Sequence, residues 1–320
     1  MTALEFASLA DVRRYARGAL QAADAADAVP VPIEQVAAAA GLHTAQDLYE
    51  MGEDVPPRIR AIMAKMARKV IGAFDLRERQ IYLDTTMALP RQRFVHGHET
   101  GHAVLPWHTR AYMGDDATTL ALDTRDLLEQ EANAFSAELL FAGSGFTRRA
   151  DDSAPGLGRP LELAETYGTS AHAALRRYAE HSSHEVALLV FGKLTVHANG
   201  APGLKVFPKQ CAQSPSFTRR LGAIVSLVPP VMSTAHGDAV TVAARATHGV
   251  EDTTTLRVPD QRRGGHVDLT AEVFTNGHLR FVLLHRNPRF AGPRVRIASA
   301  LTLTQHCDRN VSPRRRETLE

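Results

Sequence analysis

Cysteine is nearly absent from this chain. Only Cys211 and Cys307 occur in 320 residues, too few for a disulfide framework and not at the spacing of a zinc-binding thiolate pair. Long hydrophobic runs are missing as well. Nothing approaches the ~20 apolar residues needed to span a bilayer, and the opening MTALEFASLADVRRYAR lacks the basic start and apolar block of a secretory signal. The expectation is a cytoplasmic protein without membrane attachment. No internal repeat is visible, which argues against a repeat array.

What is present is ordinary for a globular protein: 44% hydrophobic and 22% charged residues, over a length sufficient for two or three units with their own cores. The net charge of +2 conceals a division. Residues 1–190 carry 19 Lys/Arg against 26 Asp/Glu, a net of −7, whereas residues 191–320 carry 18 against 9, a net of +9. A basic C-terminal part points to a polyanionic or acidic partner.

The pattern along the chain is helical first and strand-like later. Residues 5–28 read as a helix, followed by Pro30 and Pro32 and a second helix from Ile33 to Ala40 that ends at Gly41. Residues 56–69 read as another helix. VIGAF and QIYLD then form two short strands around a charged turn at Asp75 to Arg79. A helix starts after Pro90 and should stop at Pro106. After a polar loop, Arg125 to Leu140 is a strong helix with Leu128, Ala132, Phe135 and Leu139 at helical spacing. Residues 143–160 read as a turn-rich linker, and 161–180 as two short helices with Ser170 as an N-cap. From His184 the pattern is strands, including EVALLVF, GAIVSLV, AVTVAARA, TTLRV, HVDLTAEVF and HLRFVLLH, with Asn276-Gly277 as a two-residue hairpin turn.

The chemistry is concentrated in His98-Glu99-Thr100-Gly101-His102. Two imidazoles four residues apart share one face of a helix and can grip one Zn²⁺, and Glu99 is placed to act as general base on water at the ion. A catalytic zinc takes a third protein ligand. Glu129 is preferred, because Asn133 lies one turn further along the same face and can hydrogen-bond the ligand or a zinc histidine. Glu131 lies about 200° around the helix from that face. His108 has the spacing of the third histidine in H-E-x-x-H-x-x-G-x-x-H, but Leu105 stands where that pattern needs its turning glycine. Both stay as alternatives.

Over residues 30–180 the chain resembles the ImmA/IrrE metallopeptidases. The likeness is carried by the hairpin, the Arg93-Phe94 lead into the pentad, and the block from Glu129 through Ala132-Asn133 and Phe135 to Leu139-Leu140. It departs where Phe141-Ala142 stands in place of the usual Met-Pro. The resemblance implies that Glu129 is the third zinc ligand and that the substrate is a helix-turn-helix transcriptional repressor, cleaved to derepress stress or anti-phage defence genes. It is CapP-like in implying stimulation by single-stranded DNA. The implied fold is α+β: a mostly helical, zincin-like metallopeptidase domain with a short hairpin (1–145), a linker with helix-turn-helix-like helices (146–183), a β-rich, GAF-like C-terminal sensor domain (184–306), and a disordered tail (307–320).

Further expectations concern regulation. Lys205, Lys209, Arg219, Arg220, Arg262 and Arg263 could form a groove for nucleic-acid backbone, with Phe207, Phe217 or Phe290 stacking on bases. Cys211, in the loop-like FPKQCAQSPS, could latch onto the zinc in a resting state. Gln80 to Asp84 is a candidate edge for pairing with an extended substrate. Two other readings compete: a nucleic-acid-binding regulator whose zinc unit is not catalytic, and a protease acting on a toxin-antitoxin type partner.

Overall fold

The computed structural model describes residues 9–44, 72–114, 122–192, 208–227, 249–250, 253–260 and 262–286. All belong to the first of two compact units, Met1–Asn287, the second being Pro288–Glu320. The architecture is mixed α+β. Helices α1 (Leu9–Ala22) and α2 (Ile33–Ala39) lead into a small sheet of β1 (His43–Thr44), β2 (Gly72–Asp75) and β3 (Gln80–Leu83). Then come α3 (Leu89–Val104), α4 (Pro106–Gly114), α5 (Leu122–Leu140), α6 (Gly145–Asp151), α7 (Gly158–Thr166) and α8 (Ala171–His181). The C-terminal sheet is built from β4 (Val186–Phe191), β5 (Gln210–Gln213), β6 (Gly249–Val250), β7 (Thr254–Pro259), β8 (His266–Thr275) and β9 (Arg280–His285), with helices α9 (Pro215–Leu221) and α10 (Ile224–Leu227) between β5 and β6. Among the described residues no helix is long and apolar enough to cross a membrane.

In the first sheet the order is β1-β3-β2. β3 therefore lies in the middle, with β1 parallel over Gln80 and Ile81 and β2 antiparallel along its length. This corrects the expectation that Gln80 to Asp84 is an open edge. Among the described residues the outer strand beside the motif helix is β2. Helix α3 can begin at Leu89 because Pro90 falls in the first turn, where its missing N–H costs nothing. Pro106 ends it as expected, yet the same proline opens α4 instead of a loop, again by occupying a first-turn position.

One crossing positions everything that follows. Helix α3 meets α5 at Gly97 and Gly101, one turn apart. A Cβ on Gly97 would stand 2.7 Å from Ser136 Oγ, and one on Gly101 would stand 3.1 Å from the Phe135 ring. Glycine in a helix costs about 1 kcal/mol relative to alanine. Here it admits a close backbone approach, and Ser136 Oγ donates to Phe94 O at 2.7 Å across it. Leu128, Phe135, Leu139 and Leu140 of α5 then fill a core with Val12, Ala16 and Leu20 of α1 and with Leu105 and Trp107.

The C-terminal sheet is buried on both faces at its central strands, β4 and β9. Ala187, Leu189 and Phe191 of β4 join Val282 and Leu284 of β9 in a core with Phe217, Leu221, Leu256 and Leu269. The alternate residues Val186, Leu188 and Val190, with Phe281 and Leu283, pack instead on Phe146, Leu163, Leu175 and Tyr178 of α6 to α8. A strand buried on both faces reads as an unbroken apolar run, as VALLVF does. Several expectations need adjusting here. Residues 145–151 form α6 within the supposed linker, since Phe146 and Ala150 have a core to enter. Ile224–Leu227 is helical rather than a strand. The Asn276-Gly277 hairpin exists, but Asn276 Oδ1 accepts from the amides of His278 and Leu279, and Asn276 N bonds Leu279 O, so the turn is centred one residue later. The helix expected over 56–69 and the strand over 239–246 lie outside the described residues.

The helical part is tied together by a buried carboxylate. Glu138 of α5 accepts from Arg177 Nη1 of α8 at 2.7 Å and from Arg13 Nε of α1 at 3.2 Å, while Arg177 Nη2 donates to Gly143 O. Burial pushes the Glu138 carboxyl up, and Arg177, with Arg13 and His181 behind it, more than offsets this, leaving its pKa below the ordinary value. A lowered folded pKa contributes stability that is complete above the unfolded value and is lost as pH falls through the folded one. Glu138→Gln, which strands a buried guanidinium, should cost about 3 kcal/mol in urea unfolding near neutral pH. It should also flatten the acid limb of the stability profile.

Candidate metal centre

The two motif histidines rise from one face of α3 and meet Glu129 of α5 across the glycine crossing. His98 Nε2 lies 3.0 Å from His102 Nε2 and 3.3 Å from Glu129 Oε2, and His102 Nε2 lies 3.7 Å from Glu129 Oε1. One donor atom from each of the three falls within 4.8 Å of the others. Among the described residues this is the group of His, Cys, Asp and Glu side chains able to hold a metal ion. Two nitrogens and a carboxylate suit a zinc site that keeps a position open.

The outer nitrogens of both rings are engaged. His98 Nδ1 contacts Asn133 Oδ1 at 3.0 Å, and an amide oxygen only accepts, so Nδ1 carries the proton. His102 Nδ1 lies 2.9 Å from His108 Nδ1, and His108 Nε2 lies 2.9 Å from Glu131 Oε2. Trp107 Nε1 donates to the same carboxylate oxygen at 2.6 Å. The chain of donors has one consistent solution with neutral rings: His108 Nε2–H gives to Glu131, His108 Nδ1 accepts from His102 Nδ1–H, and His102 Nε2 keeps its lone pair facing inward. His108 and Glu131 are thus not in the donor cluster. They stand behind it and fix the tautomer of one member. This support was missed by reading both only as rival ligands; the available signal was a Trp-His pair following a helix that places buried polar residues two positions from Glu129.

The electrostatics fit this division. Burial, then the His98 charge, lowers the His102 pKa to about 3, so the ring is neutral. For His98 burial acts downward, but the hydrogen bond to Glu129 and the charges of Glu99 and Glu129 prevail and raise it. Glu129 is lowered, chiefly by His98. The proton on the inner side of His98 is the one a cation would replace. Glu99 is not one of the three donors and is raised to about 7, by burial first and by the Glu129 charge, with His98 opposing. It is crowded by the start of β2, where a Cβ on Gly72 would lie 3.1 Å from Glu99 Oε1 and 2.2 Å from Val95 Cγ1.

The remaining sequence candidates do not gather here. Cys211 is on β5, paired opposite Leu189 and packed half-buried against the sheet core, not in the donor cluster, so the structure gives the latch no geometry. Its stretch reads as a loop but pairs as a strand. Arg220 is bonded to Asp260 Oδ2 at 3.0 Å, and the backbone amides of Arg262 and Arg263 donate to Asp260 Oδ1. Of the three, Arg220 alone turns its guanidinium to that acid; Arg262 and Arg263 meet it through backbone and are exposed. Phe217 is fully buried and offers no stacking face. Lys209 packs its stem near Gly192, and Arg219 is exposed on α9. Lys205, Phe207 and Phe290 lie outside the described residues.

Residues 58–178 match the IrrE N-terminal-like domain of peptidase family M78. That family is one of metallopeptidases, usually zinc-dependent, and the matched span contains all three candidate ligands. Among curated proteins none matches the chain. A solved structure with a related outline is a Mycobacterium tuberculosis transcriptional regulator, 11% identical, with a TM-score of 0.48 over 86% of this chain and 76% of that one.

The hydrogen-bond chain yields a sharp expectation. In Glu131→Gln the new amide can donate to His108 Nε2, reversing the tautomers so that an N–H of His102 faces the cluster. Zinc affinity, measured by competition with a chromophoric chelator, should fall by about 10- to 100-fold, with the far-ultraviolet circular dichroism of the metal-free protein unchanged.

Proposed function

We propose that this chain is a zinc-dependent endopeptidase in which His98, His102 and Glu129 hold the ion and Glu99 is the general base. The observation that carries the reading is the convergence of three donors whose outer atoms are already engaged, beside a carboxylate that does not join them. A bound zinc ion would supply Lewis acidity toward the scissile carbonyl and toward water. Glu99, with a pKa near neutrality, takes the proton of the attacking water and returns it to the leaving amine. Asn133 and the His108–Glu131 pair hold the histidine rings in one orientation. β2, on the outside of its sheet, supplies backbone along which an extended substrate strand can pair. A purely structural metal would have no use for a base such as Glu99, which disfavours the non-catalytic regulator.

The proposed substrate is a helix-turn-helix transcriptional repressor, and the proposed trigger is single-stranded DNA acting on a GAF-like sensor domain built around the C-terminal sheet. The support is the resemblance over residues 30–180 and the +9 charge of residues 191–320. The decisive experiment incubates the zinc-loaded protein with the repressor encoded beside it, with and without single-stranded DNA. The expected outcome is cleavage that depends on DNA, weakens with salt, and disappears in Glu99→Gln while zinc content stays stoichiometric. Full cleavage by Glu99→Gln would overturn the peptidase reading.

A further inference from the structure

A second polar site lies where α6 and α8 face α9. The cleft there has a volume of about 570 Å³ and is lined among others by Thr147, Arg148, Asp151, Arg177, His181 and Arg219. That volume falls in the range of metabolite-sized pockets. Its charge is unbalanced. Asp151, the one acid in the lining, is already occupied, accepting from Ser182 Oγ and from Ser183 N at 2.8 Å. Arg148 and Arg219 are exposed and make no ion pair among the described residues; Arg219 Nη2 reaches only Ser216 Oγ, at 3.0 Å.

The wall also holds polar atoms that the protein leaves unsatisfied. Thr147 Oγ1, Arg177 Nε and His181 Nδ1 are buried without a hydrogen-bond partner among the described residues. Thr147 and Arg177 are 8% and 7% exposed. Orphaned buried polar groups cost about 1–3 kcal/mol each, and a ligand with several acceptor oxygens in the cleft would relieve that cost where it draws these side chains toward itself. Additional hydroxyls stand around the rim at Ser144, Ser182, Ser183 and Ser216.

We propose that this cleft binds a small phosphate-bearing ligand, with Arg148 and Arg219 as its mobile cationic arms and Thr147, Arg177 and His181 as its fixed wall. Guanidinium pairs and hydroxyls match a phosphate's geometry and charge better than a carboxylate's. A nucleic-acid strand fits less well. Among the described residues no aromatic side chain lines the cleft to stack a base. The site is independent of the metal centre's chemistry, but it touches it structurally: Arg177 in the wall also holds Glu138, on the helix that carries Glu129 and Asn133.

The test uses the full chain and isothermal titration calorimetry with pyrophosphate, inorganic phosphate and a short oligothymidylate as probes. The expected result is saturable pyrophosphate binding that weakens about tenfold or more in Arg148→Gln/Arg219→Gln. Thr147→Val, which removes a hydroxyl without changing shape, should weaken it as well, and Arg257→Gln, at an exposed ion pair on β7, should not. Circular dichroism of each variant checks that it folds; the two cleft arginines are exposed, so little stability is at stake. Absence of pyrophosphate binding at about 10 mM, or equal affinity in the double variant, would overturn the proposal. So would oligothymidylate binding through the same arginines without pyrophosphate binding, which would make the cleft part of a nucleic-acid surface.

Discussion

The close crossing of α3 and α5 is the constraint on which the rest of this structure depends. Two glycines and a serine let the helix backbones approach, and that approach brings a carboxylate on one helix within about 4 Å of two imidazoles on the other. Any larger side chain at Gly97 or Gly101 must push the helices apart, and every donor distance in the cluster would lengthen together. The candidate metal centre is therefore specified as much by residues with no chemistry as by its three potential donors. The core around Phe135, Leu139 and Trp107 holds the crossing from behind, so stability and metal geometry are coupled.

The buried polar groups follow the same economy. Glu131, His108 and Trp107 form a set in which each side-chain N–H has an acceptor, although Glu131 Oε1 has no donor among the described residues. Glu138 plays the comparable role further along the same helix, where two arginines converge on it. Helix α5 thus uses one face for aliphatic packing and spaces three carboxylates along its length, at 129, 131 and 138, each with different partners and a different task.

How much of this could be read from sequence varied with how local the signal was. The pentad and the Glu129/Asn133 pair were legible because helical spacing alone puts them on common faces, and the α5 core positions because they recur with the helix period. Ser170 was legible as an N-cap for the same reason, and its side chain does accept from Ala173 N. The readings that fell short involve non-local partners. Nothing in the stretch around Cys211 reveals that β4 will pair with it, so a strand looked like a loop. Ile224–Leu227 is apolar and β-branched, yet it folds as a helical turn because its place is over a sheet face already filled. His108 and Glu131 looked like rival ligands because spacing reports which residues could reach a metal, not which will reach each other first. Charge counting found the basic half but could not foresee that Asp260 would pair with the Arg220 guanidinium while accepting from the backbone amides of Arg262 and Arg263.

The cluster joins residue 102 to residue 129 through side chains alone. A cation held there would act on the chain as a cross-link does, closing a loop of roughly 27 residues and removing about 3.5 kcal/mol of conformational freedom from the unfolded ensemble. The helix pair that must be close-packed to bind the ion would in turn be clamped by it. Where zinc is scarce, a chain that takes the ion at this cluster would be looser, more readily opened and cleared by proteolysis.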